Sequence, residues 1–189
     1  MNLNVEEMFI KSGAKLEGHF LLTSGLHSPV YWEKFAVLQY PRYTQELCRL
    51  IADSYRDQNI ELVAGPTTGG VILAFEVARQ LGVRGIFAEK KEGSSERVFR
   101  RGFDIHPGER ILLVDDILST GGSIQQTVNA IKSLNGDLVG IGVLVDRSPE
   151  GIDFEVPLYS CLRSATVVYQ PEECPLCKDG VPLTKRGSS

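Results

Sequence analysis

Apolar residues form two kinds of segment that alternate along the middle of the chain: short continuous runs, and stretches in which they recur every three or four positions. The first run, near Leu62–Ala64, leads into the turn Gly65–Gly70, and the helix that follows is expected to end at Gly82. Continuous Val, Ile and Leu runs are typical of strands buried on both faces, whereas the periodic stretches predict amphipathic helices.

Three further strands are predicted, at Gly85–Lys90, Arg110–Asp116 and Leu138–Asp146, and the segment Ser123–Gly136 is expected to form a helix. Strands that alternate with helices in this way predict an α/β fold with a central parallel sheet flanked by helices. Ligands of such sheets bind beyond the carboxyl ends of the strands. The loops that follow the four strands should therefore converge on one crevice.

The two ends of the chain do not repeat this pattern. We expect a single domain over residues 1–189, with a small N-terminal hood at about 1–40, an α/β core at about 41–150 and a C-terminal flank at 151–189. A chain of 189 residues with 42% hydrophobic content is long enough to bury a sizeable core.

Membrane and secretory segments are not recognisable in the sequence. No apolar stretch approaches the roughly 20 residues that a bilayer span requires. The first residues also lack the basic-then-apolar order of a signal peptide. We therefore expect a cytoplasmic protein without a membrane partner.

The charge balance argues against a nucleic-acid partner, because the net charge is -4 and the pI is near 5.5. Within Arg84–Arg101, however, six basic residues stand against three acidic ones. This local excess of positive charge precedes the acidic segment at Asp115 and Asp116, and it indicates an anion site.

The four cysteines are Cys48, Cys161, Cys174 and Cys177. A disulfide framework is not expected in a chain of this size without a secretory signal. The stretch "CPLC" has the spacing of a zinc knuckle but lacks a second cysteine pair. We therefore predict reduced structural cysteines and no resident metal. A zinc site completed by Cys161 or shared between two chains remains the alternative. His27 is expected at the surface, and no role is predicted for His19 or His106.

The strand at Arg110–Asp116 ends in two acids and runs into a loop of small and hydroxyl residues before the next helix. Unpaired N–H groups, glycine and the helix dipole together favour a phosphate in such a loop. The carboxylates of Asp115 and Asp116 suit a neutral polyol, a metal ion or a developing positive charge instead. A sugar phosphate meets both requirements. A Walker motif does not occur, and Gly140–Gly142 lies inside a predicted strand without the third glycine of a dinucleotide fingerprint.

The stretch "LLVDDILSTGGS" (Leu112–Ser123) resembles the phosphoribosyl-pyrophosphate signature of type I phosphoribosyltransferases. Three further stretches are similar to orotate phosphoribosyltransferases: "FLLTSGLHSPVYW" (Phe20–Trp32), "GPTTGGVILA" (Gly65–Ala74) and "GVLVDR" (Gly142–Arg147). The resemblance implies transfer of the phosphoribosyl group of 5-phosphoribosyl 1-diphosphate (PRPP) to orotate, giving orotidine 5′-monophosphate and diphosphate. It also implies Mg²⁺ bound mainly through the substrate diphosphate, and a homodimer that shares site residues across its interface.

By this resemblance, Asp115 and Asp116 would hold the ribose hydroxyls, and Lys91 would act with them in catalysis. Arg147 would pair with the orotate carboxylate, a task suited to a planar guanidinium. Lys90 and Lys91 match a basic pair that contacts diphosphate, one of which reaches across the dimer in the family. The other predicted substrate contacts are Ile117, Leu118, Ser119, Thr120, Gly121, Gly122 and Ser123 in the loop, Thr68 and Gly69 after the first strand, and Tyr31 and Trp32 in the hood.

Thr23 and Gly69 stand where many family members have lysine, and both remain predicted substrate contacts. The segment "GSSERVFRRGF" replaces the usual mobile loop, so Arg97, Arg100 and Arg101 are candidates to supply the missing charge. The flexible residues at 93–95 suit a lid that would exclude water.

Two other functions remain open. A purine or uracil phosphoribosyltransferase would keep the sugar-phosphate site, but its base would gain nothing from Arg147. A regulator or nucleic-acid-binding protein on the same fold would bind the sugar phosphate without turnover.

Overall fold

The computed structural model describes residues 4–22, 24–148, 151–164 and 167–186. Its central sheet contains β3 (Leu62–Pro66), β4 (Arg84–Lys90), β5 (Arg97–Phe99), β6 (Arg110–Leu118), β7 (Asp137–Asp146) and β8 (Leu158–Arg163). Among the described residues, these strands lie in the order β5-β4-β3-β6-β7-β8, and all neighbours are parallel except β4 and β5. The predicted α/β fold with a mainly parallel sheet is confirmed.

Helices cover both faces of this sheet. Helices α3 (Pro41–Tyr55) and α4 (Gly69–Leu81) cover one face, and α5 (Gly122–Ser133) covers the other. The other described helices are α1 (Val5–Lys11), α2 (Lys34–Leu38) and the short α6 (Pro175–Lys178). The predicted helix after β3 ends as expected, because Gly82 takes the left-handed conformation, with a φ of 75°, that closes α4. The helix predicted after the two acids is α5.

Strands β3 and β6 are buried on both faces, which explains their continuous apolar sequences. On one face, Val63 and Leu112 pack in a cluster with residues of α3 and α4; on the other, Leu62 and Leu113 pack with residues of α5. Each fully buried Leu contributes about 1.5–3 kcal/mol to folding. The sheet is consequently a rigid base for the loops at its edge.

Helix α3 lies close against β7 because two glycines of that strand have no side chain. A Cβ at Gly140 would overlap the ring of Tyr55, and one at Gly142 would overlap Ile51. The Tyr55 hydroxyl donates a hydrogen bond to the carbonyl oxygen of Ile141 at 2.8 Å. The Gly-Ile-Gly stretch is therefore a packing feature of a strand, as its position predicted.

A second, smaller sheet contains β1 (Lys15–Leu21), β2 (His27–Trp32) and β9 (Thr184–Lys185), in the order β2-β1-β9. We call this sheet the hood. Its N-terminal part was expected, but its third strand comes from the C-terminal flank. The flank also contributes β8 to the main sheet, so the expected end of the core near residue 150 is wrong.

The direction in which the central sheet grows reverses between β3 and β6. From β3, the chain adds β4 and then β5 on one side, whereas β6, β7 and β8 extend the other side. Ligand sites of open α/β sheets lie at the carboxyl ends of the strands at such a reversal.

In the part of the chain that the structure describes, no helix has the length and apolar character needed to cross a membrane.

Candidate active site

A cavity of about 240 Å³ opens at the carboxyl ends of β3 and β6. Its walls come from the loops after these strands, from the start of α2 and from β5. The lining residues are Lys34, Thr67, Thr68, Arg97, Asp115, Asp116, Ile117, Ser119 and Ser123. The loops after β3 and β6 thus meet as expected, and the cavity is rich in charged and hydroxyl groups.

Asp115 is held in place by two donors and is almost fully buried. One carboxylate oxygen accepts the backbone N–H of Asp116 at 2.9 Å, and the other accepts the Ser123 hydroxyl at 2.8 Å. Burial, and secondarily the neighbouring Asp116 charge, raises the pKa of Asp115 to about 7. Near neutral pH the Asp115 carboxyl is therefore partly protonated.

The raised pKa predicts how stability depends on pH. Between the usual carboxyl pKa of 3.8 and about 7, folded Asp115 keeps a proton that the unfolded chain has lost. Its contribution to the free energy of unfolding therefore falls as pH rises through this window, by at most about 1.4 kcal/mol per pH unit, and levels off above it. Urea unfolding of the wild type and of Asp115→Asn between about pH 4 and pH 8 measures this difference. Parallel pH profiles for the two proteins would contradict it.

Asp116 is paired with a lysine that the sequence did not single out. The Lys34 ammonium, at the start of α2, lies 3.2 Å from Oδ1 and 3.0 Å from Oδ2 of Asp116. Oδ1 also accepts the backbone N–H of Ile117 at 2.7 Å. Among the described residues, Oδ2 is buried and accepts no hydrogen bond of good geometry, so the Lys34 ammonium is its charged neighbour.

Gly69 allows the loop after β3 to approach these acids. A Cβ at this position would overlap the Asp116 carboxylate, and one at Gly70 would press on Pro66. The lysine that many family members carry at position 69 therefore has no room here in this arrangement. The positive charge beside Asp116 comes from Lys34 instead.

Strand β6 extends to Leu118, and the loop from Ser119 to Gly121 leads directly into α5. Gly121 adopts a left-handed conformation, with a φ of 77°, and precedes the first residue of the helix. The first N–H groups of α5 consequently have no partner within the helix and point toward the loop. Leu118 differs from its neighbours, because its side chain is fully buried in the core and its carbonyl oxygen accepts the Arg147 N–H at 2.8 Å. The expected contact of Leu118 with substrate is therefore not supported.

Of the basic residues between β4 and β6, the structure brings Arg97 to the cavity. Its guanidinium is largely buried and donates to the Thr67 hydroxyl at 3.3 Å and to the Ala88 carbonyl at 3.2 Å. Burial lowers the pKa of Arg97, and attraction to Asp115 opposes this shift. Among the described residues, the buried Nε–H of Arg97 has no hydrogen-bond acceptor, so an oxygen atom of a ligand that reached it would complete its hydrogen bonding.

The other predicted basic contacts lie outside the cavity lining. Lys91 pairs with Glu96 at 2.9 Å, and Arg101 makes a two-point contact with Glu89 at 2.8 and 3.0 Å. Lys90 and Arg100 are exposed. The segment expected to be a loop forms a hairpin of β4 and β5, and these ion pairs balance the charges of Lys91 and Arg101.

Arg147 follows β7 and lies near Tyr31 of the hood. Burial lowers the pKa of the Arg147 guanidinium, and the interaction with Tyr31 partly opposes this shift. Trp32 lies on the other side of β2, where it packs edge-on against Phe9 with ring centroids 5.2 Å apart. Since successive side chains of a strand point to opposite faces, Trp32 faces away from Tyr31, and its predicted position beside the base is not supported. Thr23 lies outside the described residues.

The histidines and cysteines also differ from expectation. His27 is buried, and its Nδ1 lies 2.9 Å from Nε2 of His19. Cys161 lies in β8, where its thiol contacts the Leu47 carbonyl, and it does not reach the "CPLC" stretch. The residues that meet Cys174 and Cys177 are instead the two histidines.

Comparison with known proteins matches this chain to the phosphoribosyl transferase domain family over residues 36–176. An orotate phosphoribosyltransferase of Thermoanaerobacter sp. (strain X514) is 46% identical over 184 residues, which cover 97% of this chain and 96% of that protein. The chain belongs to the orotate phosphoribosyltransferase family. Another member, from Pelotomaculum thermopropionicum, is 48% identical over 181 residues, covering 96% of this chain and 94% of the relative.

Structural comparison agrees with membership in the orotate phosphoribosyltransferase family. The crystal structure of the orotate phosphoribosyltransferase from Aeropyrum pernix matches with a TM-score of 0.69 and 25% identity, covering 84% of this chain and 93% of that one. The resemblance identified from the stretch at Leu112–Ser123 is thereby confirmed. Sequence reasoning missed Lys34; the signal available for it was its place just after the hood segment that resembles the family.

Proposed function

We propose that this chain transfers the phosphoribosyl group of PRPP to orotate, giving orotidine 5′-monophosphate and diphosphate. The observation that carries the proposal is the pair of buried carboxylates at the end of β6, directly before the open N-terminus of α5. This arrangement offers acceptors for the ribose hydroxyls and donors for a phosphate within one cavity. Family membership adds the identity of the base.

The sugar and its 5′-phosphate are assigned to β6 and the loop that follows. Ribose hydroxyls would donate to the carboxylates of Asp115 and Asp116, which both line the cavity. The 5′-phosphate would accept from backbone N–H groups at the start of α5 and from the exposed hydroxyls of Ser119 and Thr120. Ser123 is an exception, because its hydroxyl already donates to Asp115 and so positions that carboxylate.

The diphosphate is assigned to the loop after β3. Thr67 and Thr68 line that wall, and Arg97 places a buried positive charge beside them. Diphosphate oxygens would satisfy the unpartnered Nε of Arg97. The carboxylate and hydroxyl oxygens that line the cavity also fit Mg²⁺ carried by the substrate diphosphate. When bound, the ion would supply positive charge to the leaving diphosphate.

Orotate is assigned to the side of the cavity formed by Arg147 and Tyr31. The guanidinium matches the planar carboxylate of orotate, and partial burial strengthens such a charge-assisted pair. The nitrogen of orotate attacks the anomeric carbon of the ribose while the bond from that carbon to the diphosphate oxygen breaks, and the proton of that nitrogen is released to the leaving diphosphate or to solvent. Positive charge on the ribose ring then lies near the two acids, and negative charge on the diphosphate lies near Arg97.

A homodimer and a cytoplasmic location are further parts of this proposal. Lys90 and Lys91 lie outside the cavity lining of their own chain, and their exposed position suits a contact with the site of a second copy. Lys91 would then exchange Glu96 for the diphosphate of the neighbouring site. The four free cysteines fit a reducing compartment.

The experiment that tests this function is a parallel assay of bases. Purified protein with Mg²⁺ and PRPP is incubated with orotate, uracil, adenine, guanine or xanthine, and consumption of each base is followed. We expect consumption of orotate alone, because a base without a carboxylate gains nothing from Arg147. Turnover of another base would keep the sugar site and overturn the base assignment. Binding of PRPP without any turnover would favour a regulator.

A further inference from the structure

Four side chains with metal-binding atoms meet beside the hood, away from the cavity. They are His19 on β1, His27 on β2, Cys174 immediately before α6 and Cys177 within it. One ligand atom from each lies within 4.8 Å of the other three, and all but Cys177 are buried. We propose that this cluster binds one Zn²⁺ ion as a tetrahedral site of two imidazoles and two thiolates.

The distances between the ligand atoms are close to those of a zinc site. Nε2 of His19 lies 2.9 Å from Nδ1 of His27, 3.5 Å from Sγ of Cys174 and 3.7 Å from Sγ of Cys177. Sγ of Cys177 is also 3.3 Å from Nδ1 of His27. Tetrahedral zinc separates two nitrogens by about 3.3 Å, and a nitrogen from a sulfur by about 3.6 Å. Since the four ligand atoms lie within 4.8 Å of one another, side-chain movements of up to about 1 Å would admit the ion.

The tautomer of neutral His19 is set by a neighbouring group that can only accept a hydrogen bond. Its Nδ1 lies 2.7 Å from the carbonyl oxygen of Val181 and must donate its hydrogen there. The lone pair of this histidine is consequently on Nε2, the atom that faces the other ligands. Zinc-bound histidines are commonly held in this way, through the ring nitrogen that does not bind the metal.

The set of ligands favours zinc over other divalent ions. Two thiolates and two imidazoles in a tetrahedral arrangement are typical of structural zinc sites. Binding would release the two thiol protons to solvent, and the charges of two thiolates and one Zn²⁺ cancel. The mostly buried site would therefore carry no net charge, which avoids the cost of burying an uncompensated ion.

The bound ion would join parts of the chain that are far apart in sequence. His19 and Cys174 are separated by 155 residues, and closing such a long loop restricts the unfolded chain. In the folded state, the bound ion would link the β1–β2 hairpin to the C-terminal flank. Strand β2 continues from His27 to Tyr31, so zinc would position the strand that carries the base side of the cavity.

The first test is metal analysis of the untagged full-length protein, purified under reducing conditions. We expect about one zinc per chain by inductively coupled plasma mass spectrometry. Replacement of zinc by Co²⁺ should give intense visible ligand-field bands and a near-ultraviolet thiolate-to-cobalt band, as tetrahedral thiolate coordination requires. Reduced apoprotein that takes up no zinc at neutral pH, or a Cys174–Cys177 disulfide under reducing conditions, would overturn the proposal. These readouts do not depend on catalysis, so they separate this site from the proposed activity.

The second test compares variants by competition with a chromophoric chelator. Cys177→Ser changes one exposed ligand atom and should weaken zinc binding by at least about 100-fold, more than loss of a supporting hydrogen bond does. The matched controls are Cys161→Ala and His106→Ala, which alter the same residue types outside the cluster and should retain zinc. A chelator should lower the melting temperature of the wild type and leave that of Cys177→Ser unchanged. Equal zinc affinity of wild type and Cys177→Ser would refute the site.

Discussion

Replacing Asp115 and Asp116 together by asparagine is expected to lower kcat by about 10³-fold or more. The two carboxylates are the negative groups closest to the proposed ribose position, and removing one well-placed stabilising group commonly costs 10²–10³-fold. Asparagine keeps the shape of each side chain, and at position 115 its one oxygen can accept from either the Asp116 N–H or the Ser123 hydroxyl. The neutral amide also removes the repulsion that raises the pKa of Asp115, so the variant should fold.

The matched control for this double variant is Asp53→Asn with Asp137→Asn. Both control residues are exposed and pair with surface arginines, Asp53 with Arg49 and Arg56, and Asp137 with Arg110. Such pairs contribute little to stability. Initial rates with saturating orotate and PRPP, together with circular dichroism and thermal melting, separate catalysis from folding. If the site variant retains kcat within about tenfold of the wild type, the two acids have a structural role only.

The second large effect is expected at Arg147. Arg147→Ala should lower kcat/KM for orotate by about 10²–10³-fold, because loss of one partner of a buried charge pair typically costs 2–5 kcal/mol. The apparent KM for PRPP should change by less than about threefold, since Asp115, Asp116 and the loop before α5 lie at the ends of other elements. Steady-state kinetics with each substrate varied in turn give both values.

Two controls sharpen the test of Arg147. Arg147→Lys keeps the positive charge but loses the planar two-point contact, and it should fall between the wild type and the alanine variant. Arg49→Ala removes an exposed arginine of α3 and should affect neither substrate. An equal loss of affinity for orotate and PRPP in Arg147→Ala would mean that this side chain supports the cavity as a whole.

Four strands of the central sheet could be predicted from their apolar runs, and the signal was clearest for β3 and β6, which are largely buried on both faces. Val63 and Leu112 face α3 and α4, while Leu62 and Leu113 face α5, so no polar residue interrupts the pattern. The position of the cavity followed from the rule for parallel sheets. The local sequence was sufficient to predict these strands and the edge of the sheet where the cavity lies, because the apolar pattern of each strand is set by residues that are adjacent in the chain.

Residues that reach the cavity from other elements could not be placed in this way. Lys34 and Arg97 contact Asp116 and Thr67 only after α2 and β5 have packed against the sheet. Arg100 and Arg101 have the same charge as Arg97 but are exposed, and only the pairing of β5 with β4 distinguishes them. Trp32 could have been excluded by strand alternation, had the register of β2 been known.

The strands of the hood come from the two ends of the chain, so the ribosome synthesises them at different times. Strands β3, β4 and β6, with the two acids at the cavity, are made well before β9 and the segment at Cys174–Cys177. The hood sheet cannot be completed until this late segment pairs with β1. In a nascent chain, the part of the cavity proposed to bind the sugar phosphate should therefore fold first. The part proposed to bind the base should fold last, when the hood sheet is completed.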